Sequence, residues 1–190
     1  MTDTIEVERK RELSDDGSAL APVLAQLGYV AFPPVTETDT YYSRPDVDFM
    51  QTVECLRVRR RGEFAEITYK PASTATTHTA DDVVSKVETN VILSEGEQAY
   101  TAERLLTFIG MRELVRVEKT RTIYRHPDNP GVTVSIDTVH GAGTFIETEV
   151  NRTTAEGAAE LVDHIERQLG ISECPTVAIP YRDIVLGQKE

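Results

Sequence analysis

Glu6-Val7-Glu8-Arg9-Lys10 places charge at every second position close to the start of the chain. In an extended strand successive side chains point to opposite faces, so Glu6, Glu8 and Lys10 share one face and Val7 takes the other. Neighbours on that face are roughly 7 Å apart along the strand. Two carboxylates and an ammonium in line form an unusual face, because half-buried strands put apolar residues on one side. An exposed edge strand would account for it, since charge blunts a sheet edge. The later strands supply a different account.

Period-two reading finds the same oddity along the whole chain. Arg57 and Arg59 share a face opposite Leu56 and Val58. Glu66, Thr68 and Lys70 lie opposite Ala65, Ile67 and Tyr69. Lys86, Glu88 and Asn90 lie opposite Val87 and Val91. Lys119, Arg121 and Arg125 share a face with Val117 and Ile123. Asp137 falls with Ser135 and Thr133, opposite Val132, Val134 and Ile136. Glu147 and Glu149 fall with Phe145, opposite Ile146 and Val150. The charges are segregated by strand, acidic at 6/8 and 147/149, basic at 57/59 and 119/121.

Strands are predicted at 4–12, 39–43, 53–61, 64–70, 84–93, 114–125, 131–138 and 143–151. Helices are predicted at 16–27, 101–109 and 154–169, the last with a Thr153/Glu156 capping box and a Gly170 stop, and a short one runs from Pro180 to Gly187. Residues 71–82 read as a loop. Many strands, few helices and no β-α-β alternation point to an α+β fold, an antiparallel sheet or barrel with helices packed outside. If helices cover the apolar sheet face, the charged face meets water or a ligand, and a closed sheet with charges inward forms a polar tunnel.

Arg and Lys clusters select phosphate, Arg bidentately. Carboxylates facing the same lumen repel phosphate unless a divalent cation lies between them, and Mg²⁺ or Mn²⁺ takes carboxylate and phosphate oxygens together. Basic and acidic walls together therefore specify a metal-bound polyphosphate, the setting of phosphoryl or nucleotidyl transfer.

Composition narrows the setting. The 190 residues carry a net charge of −12, with 20 Lys+Arg against 32 Asp+Glu, which disfavours nucleic acid as a partner. No apolar run approaches the length of a membrane span and no signal peptide is visible, so no membrane partner is expected. Cys55 and Cys174 lie far apart, without metal-ligand or disulfide-framework spacing, which suits a reducing, cytoplasmic location. Cys55 reads as a small buried hydrophobe and Arg60 as pointing away from Arg59. His140 reads as a hairpin-loop residue, His126 as the entry to a turn, and His78 and His164 as surface.

The chain resembles the CYTH superfamily, or triphosphate tunnel metalloenzymes, with its class IV adenylate cyclase and thiamine triphosphatase members. The resemblance spans roughly residues 4–186. It rests on Glu6–Lys10, Asp39-Thr40-Tyr41-Tyr42, Cys55-Leu56-Arg57-Val58-Arg59-Arg60 and Ile67-Thr68-Tyr69-Lys70-Pro71. It continues through Lys86-Val87-Glu88 and Val117-Glu118-Lys119-Thr120-Arg121, and closes with the run from Ile136-Asp137 through His140-Gly141-Ala142-Gly143 to Glu147-Thr148-Glu149. It implies one domain over 1–190, an eight-stranded antiparallel tunnel, and two divalent ions, Mg²⁺ or Mn²⁺. Arg57, Arg59, Lys70, Lys86, Lys119 and Arg121 would grip phosphates. Glu6, Glu8, Asp137, Glu147 and Glu149 would hold metal. Lys10 would contact phosphate or orient a carboxylate, and Glu88 would be an acidic lumen residue taking part in catalysis. Lys86 stands where the cyclase-like branch commonly has Arg, and Pro71-Ala72-Ser73 replaces its Gly-Pro-Lys.

The expected function is hydrolysis of tripolyphosphate or another triphosphate, with ATP and thiamine triphosphate as other candidate substrates. Cyclisation of ATP to cyclic AMP and a non-catalytic polyphosphate-binding module are the alternatives. A homodimer is compatible with the barrel rims.

Overall fold

A computed structural model describes residues 5–74, 77 and 84–188. The strands are β1 (Ile5–Leu13), β2 (Val30–Ala31), β3 (Val35–Ser43), β4 (Cys55–Arg61), β5 (Phe64–Lys70), β6 (Val84–Val87), β7 (Thr89–Leu93), β8 (Arg112–His126), β9 (Asn129–Val139) and β10 (Gly143–Arg152). The helices are α1 (Leu20–Gln26), α2 (Gln98–Phe108), α3 (Ala158–Leu169) and α4 (Tyr181–Gly187). Of the predicted loop 71–82, residues 75–76 and 78–82, His78 among them, lie outside the described residues.

All ladders between the strands are antiparallel, in the order β6-β1-β10-β9-β8-β3-β4-β5-β7, with β2 pairing onto β8. The two ends of this order, β6 and β7, are consecutive in sequence and separated by Glu88 alone. The predicted strand 84–93 is thus one wall broken in the middle. Its first half pairs with β1 and its second half with β5, so the chain itself joins the sheet edges into a barrel. Counting that wall once gives the eight walls expected from the sequence.

Period-two alternation sends one set of side chains outward under the helices. Val7, Val132, Val134, Ile136, Ile146 and Val150 pack against Leu24 of α1 and Ala158, Val162, Ile165 and Leu169 of α3. Val58, Ala65 and Tyr42 pack under Ala99, Ala102 and Leu106 of α2. Each large aliphatic side chain buried in this way contributes about 1.5–3 kcal/mol. The inward face changes character along the barrel. Tyr41, Val115, Val117, Val139 and Phe145 fill one end and pack against Tyr181 of α4. Beyond that apolar floor the lumen is charged.

α3 begins at Ala158, several residues later than predicted. Gly157 with φ 68° precedes it, no side chain caps it, and the Thr153/Glu156 capping box is not formed. Gly170 at φ 72° ends it as expected, because glycine enters the left-handed region without steric cost. Pro180 in extended conformation precedes α4. His140 lies in the β9–β10 hairpin loop, and His126 ends β8 before a tight turn at residues 127–128. No described helix is long and apolar enough to cross a membrane.

On the outer face of β1, Arg9 and Arg11 are buried beneath α3. Arg9 Nη1 donates to Asp163 at 2.6 Å and to Glu166 at 2.8 Å, and Arg11 Nε donates to the same Glu166 oxygen at 2.8 Å. Arg11 Nη1 also donates to the Ser172 and Cys174 carbonyls. Removing one partner from a buried ion pair leaves uncompensated charge. Glu166→Ala is expected to lower unfolding free energy by about 3–5 kcal/mol, read by urea denaturation at neutral pH. A change within experimental error would show that the network carries no weight.

Candidate active site

The barrel encloses a cavity of about 760 Å³, a volume suited to a small ligand. Nine basic and seven acidic side chains line it, so the acidic excess of the chain lies outside. Glu6, Glu8 and Lys10 come from β1, Arg57 and Arg59 from β4, Lys70 from β5 and Lys86 from β6. Glu88 comes from the β6–β7 break, Lys119 and Arg121 from β8, and Glu147 and Glu149 from β10. The structure therefore brings every residue singled out from the sequence to one lumen except Asp137. Asp137 is fully buried in the wall, behind the cations that it holds.

The cations are held from behind. Asp39 accepts Arg59 Nε at 2.6 Å and Nη2 at 2.7 Å, a bidentate fork. Asp137 accepts Lys119 Nζ at 2.9 Å and Arg121 Nε at 2.6 Å. Glu37 reaches Arg61 at 3.3 Å, Arg59 at 3.4 Å and Lys119 at 3.5 Å. Burial alone would raise the Asp39 and Asp137 carboxyls. Arg59 and Arg57 reverse this for Asp39, and Arg121 and Lys119 for Asp137, holding both well below the usual carboxylate range. Burial, reinforced by Arg121, lowers the Lys119 ammonium. Arg57 is left under-matched, because its buried Nε has no hydrogen-bond partner and it reaches Asp39 only at 3.8 Å. An unmatched guanidinium in a lumen is a seat for an anion.

On the other side of the lumen, Glu8 and Glu149 are directly opposed across the β1–β10 ladder. Burial, then the Glu8 charge, pushes the Glu149 carboxyl above its ordinary value. Lys70 bonds to Glu6 and meets Glu88 at 3.0 Å. Burial would lower the Lys70 ammonium, but Glu6, Glu8 and Glu88 drive it well upward. Glu147 is bonded to Arg121, and Asn151 donates to Glu149. Lys86 Nζ donates at 2.6 Å to the carbonyl of Val53, whose φ of 55° is strained for a β-branched residue.

Among the described residues no three His, Cys, Asp or Glu side chains converge into a ready-made metal cage. The donors present still fit a hard cation. Mg²⁺ is commonly held by one or two carboxylates plus substrate phosphates. Two opposed carboxylates that repel each other are such a half-site, and Glu8 and Glu149, flanked by Glu6 and Glu147, are the residues that would hold the ion.

Several lumen residues escaped the sequence reading. β3 starts at Val35, whereas the sequence suggested a start at Asp39, so Glu37 was never placed on a face, although Glu37 and Asp39 continue the period-two pattern. Cys55 is on the lumen face with Arg57 and Arg59, half-buried and packed against the apolar floor as a small hydrophobe, and burial raises its thiol. Tyr181 enters from α4, and helical position gave no reason to aim it inward. Arg60 points outward as expected, over the Tyr100 ring at 5.3 Å.

An antiparallel barrel that turns its charges inward, with one end filled and helices around it, defines a tunnel protein. The chain belongs to the CYTH domain family, whose model matches residues 4–178. It is 30% identical over 146 residues, 76% of each chain, to a protein of Methanocaldococcus jannaschii named "Putative adenylate cyclase MJ0240". It superposes on the PH1819 protein of Pyrococcus horikoshii with a TM-score of 0.75 and 26% identity, covering 96% of this chain and 99% of that one. It shares its fold with an adenylyl-cyclase-named protein of Hippeastrum described as having a dominant triphosphatase activity, with a TM-score of 0.67, 15% identity and coverage of 97% and 95%.

Glu149→Gln removes the repulsion with Glu8. A carboxyl whose folded pKa is raised stabilises the fold while protonated, and that contribution is lost as pH rises past its unfolded value. Metal-free Glu149→Gln is therefore expected to be more stable than wild type at pH 7–8 by up to about 1 kcal/mol, or roughly 2–4 °C, and to converge with it below pH 4. Scanning calorimetry with chelator checks this. A lower midpoint for the variant at pH 7–8 would contradict the repulsion.

Proposed function

We propose that this protein is a metal-dependent triphosphatase that takes a linear triphosphate into its tunnel and hydrolyses it. The observation that carries this reading is the meeting, in one lumen, of a cationic wall with an under-matched Arg57 and a repelling carboxylate pair. An anion alone satisfies the first and a cation alone the second, whereas a metal-complexed polyphosphate satisfies both.

In this reading Arg57, Arg59, Lys119 and Arg121 grip the phosphate oxygens, and Lys70 and Lys86 take the part of the chain nearer β5 and β6. Lys10 orients the phosphate next to Glu147, its partner across the ladder. Asp137 serves as a positioning residue for Lys119 and Arg121, because both its oxygens are already occupied. Glu88 does the same for Lys70. A bound divalent cation, Mg²⁺ or Mn²⁺, supplies charge neutralisation on the phosphate oxygens. Water attacks the terminal phosphorus, the bridging P–O bond breaks with its oxygen kept by the departing diphosphate, and orthophosphate forms with release of a proton. A cytoplasmic setting, with its magnesium and nucleotides, goes with this reading.

The name of the Methanocaldococcus relative favours a second reaction on the same walls. The ribose 3′-hydroxyl of ATP attacks the α-phosphorus, expels pyrophosphate and leaves cyclic AMP. The two reactions differ in which phosphorus lies against the carboxylate pair.

A panel of tripolyphosphate, ATP and thiamine triphosphate with Mg²⁺ or Mn²⁺ separates them by phosphate, pyrophosphate and cyclic AMP release. The expected outcome is phosphate release from tripolyphosphate above every other turnover. Cyclic AMP formation at a comparable rate would favour the cyclase. Glu147→Ala is expected to lose about 10²-fold or more in kcat while still binding tripolyphosphate. Tight binding with no turnover of any substrate would leave a binding module as the function.

A further inference from the structure

Tyr181 sits where the apolar floor meets the charged lumen. It is the first residue of α4, and its ring packs edge-on against Phe145 at 5.3 Å, within the cluster of Val117, Val139 and Tyr41. The residue is 5% exposed, and its buried hydroxyl has no geometrically formed hydrogen bond, the neighbouring Asp137 carboxylate being already taken by Lys119 and Arg121. A buried phenol usually finds a partner, and an orphan costs the desolvation of the group. The ring also carries two cations. Lys10 Nζ lies 4.2 Å and Lys119 Nζ 4.9 Å from its centroid, within cation–π range.

α4 is fixed to the barrel by the neighbouring residue. Arg182 is fully buried, and it donates to the Phe49 carbonyl at 2.8 Å, to the Glu54 carbonyl and to Asp183 at 2.8 Å. The tyrosine therefore stands on an anchored helix, with its ring facing two ammoniums, its hydroxyl beside Glu147 and Asp137, and its body in hydrocarbon. That is a built site for one terminal oxygen-rich group at the blind end of the tunnel.

We infer that Tyr181 is a further substrate-binding residue: its hydroxyl donates to the free terminal phosphate of a linear chain, and its ring positions the Lys10 and Lys119 ammoniums on that same group. This rests on the triphosphate reading above and adds to it a requirement for a chain end. Val117, Val139 and Phe145 offer that end no hydrogen bond, so Tyr181 makes the floor selective for a phosphate that terminates there. A cyclic phosphate has no such end.

The test compares tripolyphosphate with trimetaphosphate, which is cyclic, in calorimetric titrations with Mg²⁺ in a Glu147→Ala background, where binding persists and turnover is suppressed. Tyr181→Phe keeps the ring and removes a hydroxyl that bonds to nothing in the free protein, so its melting temperature should match or exceed wild type. It is expected to weaken tripolyphosphate binding by roughly ten-fold or more, the loss of a hydrogen bond to a charged group. Trimetaphosphate binding should stay unchanged. Tyr181→Leu removes the platform as well and is expected to weaken both ligands. Tripolyphosphate affinity equal to wild type in Tyr181→Phe, or an equal loss for both ligands in that variant, overturns the assignment while leaving the triphosphatase reading intact. A protein with Tyr181 intact that binds no tripolyphosphate in the presence of Mg²⁺ overturns both.

Discussion

The whole structure depends on how charge inside the barrel is neutralised. Charge taken out of water is costly unless it is paired with good geometry, and removing one partner of such a pair is more costly still. Here the pairing is done by a second layer of acids within the wall. Asp39 grips Arg59, and Asp137 grips Lys119 and Arg121. The acids are at most 1% exposed, and the cations they hold form the surface of the lumen. This makes the site pre-organised: the guanidiniums are already aimed, so a phosphate that meets them requires little further ordering.

The same logic explains the two faces of β1. Glu6, Glu8 and Lys10 look into the tunnel, while Arg9 and Arg11 are buried on the other side against Glu166. One strand thus ties the lumen carboxylates to α3. Beside the under-matched Arg57, the opposed Glu8 and Glu149 are left without full neutralisation, a local instability that a cation would relieve. Strain of this kind gathers where a ligand is meant to complete the structure.

Much of this was legible in the sequence because period-two alternation survives in almost every strand. The pairs 6/8, 57/59, 119/121 and 147/149 all face one cavity. What the pattern hid has physical causes. Glu37 was missed because Val35 and Thr36 gave no clear strand start, and a strand boundary is a matter of pairing rather than local preference. Alternation put Asp137 on the lumen face but could not tell a residue at the surface from one sealed behind two cations. The split at Glu88 follows from barrel closure, which no local signal encodes. Tyr181 comes from a helix after a proline, and only the packing of α4 turns it inward. The capping box at Thr153/Glu156 failed because Gly157, in the left-handed region, starts the helix without a side-chain cap.

The proposed occupancy is a metal ion and a triphosphate sharing this lumen, the ion on the Glu8/Glu149 pair and the phosphates on the arginine wall. X-ray diffraction at the manganese absorption edge, from crystals grown with Mn²⁺ and tripolyphosphate, tests it most directly. An anomalous peak is expected inside the barrel, bonded to Glu149 and to Glu8 or Glu147, with phosphate oxygens on the same ion and the chain against Arg57 and Arg59. A tripolyphosphate bound only on the outer surface, or manganese bound away from these carboxylates, would contradict it.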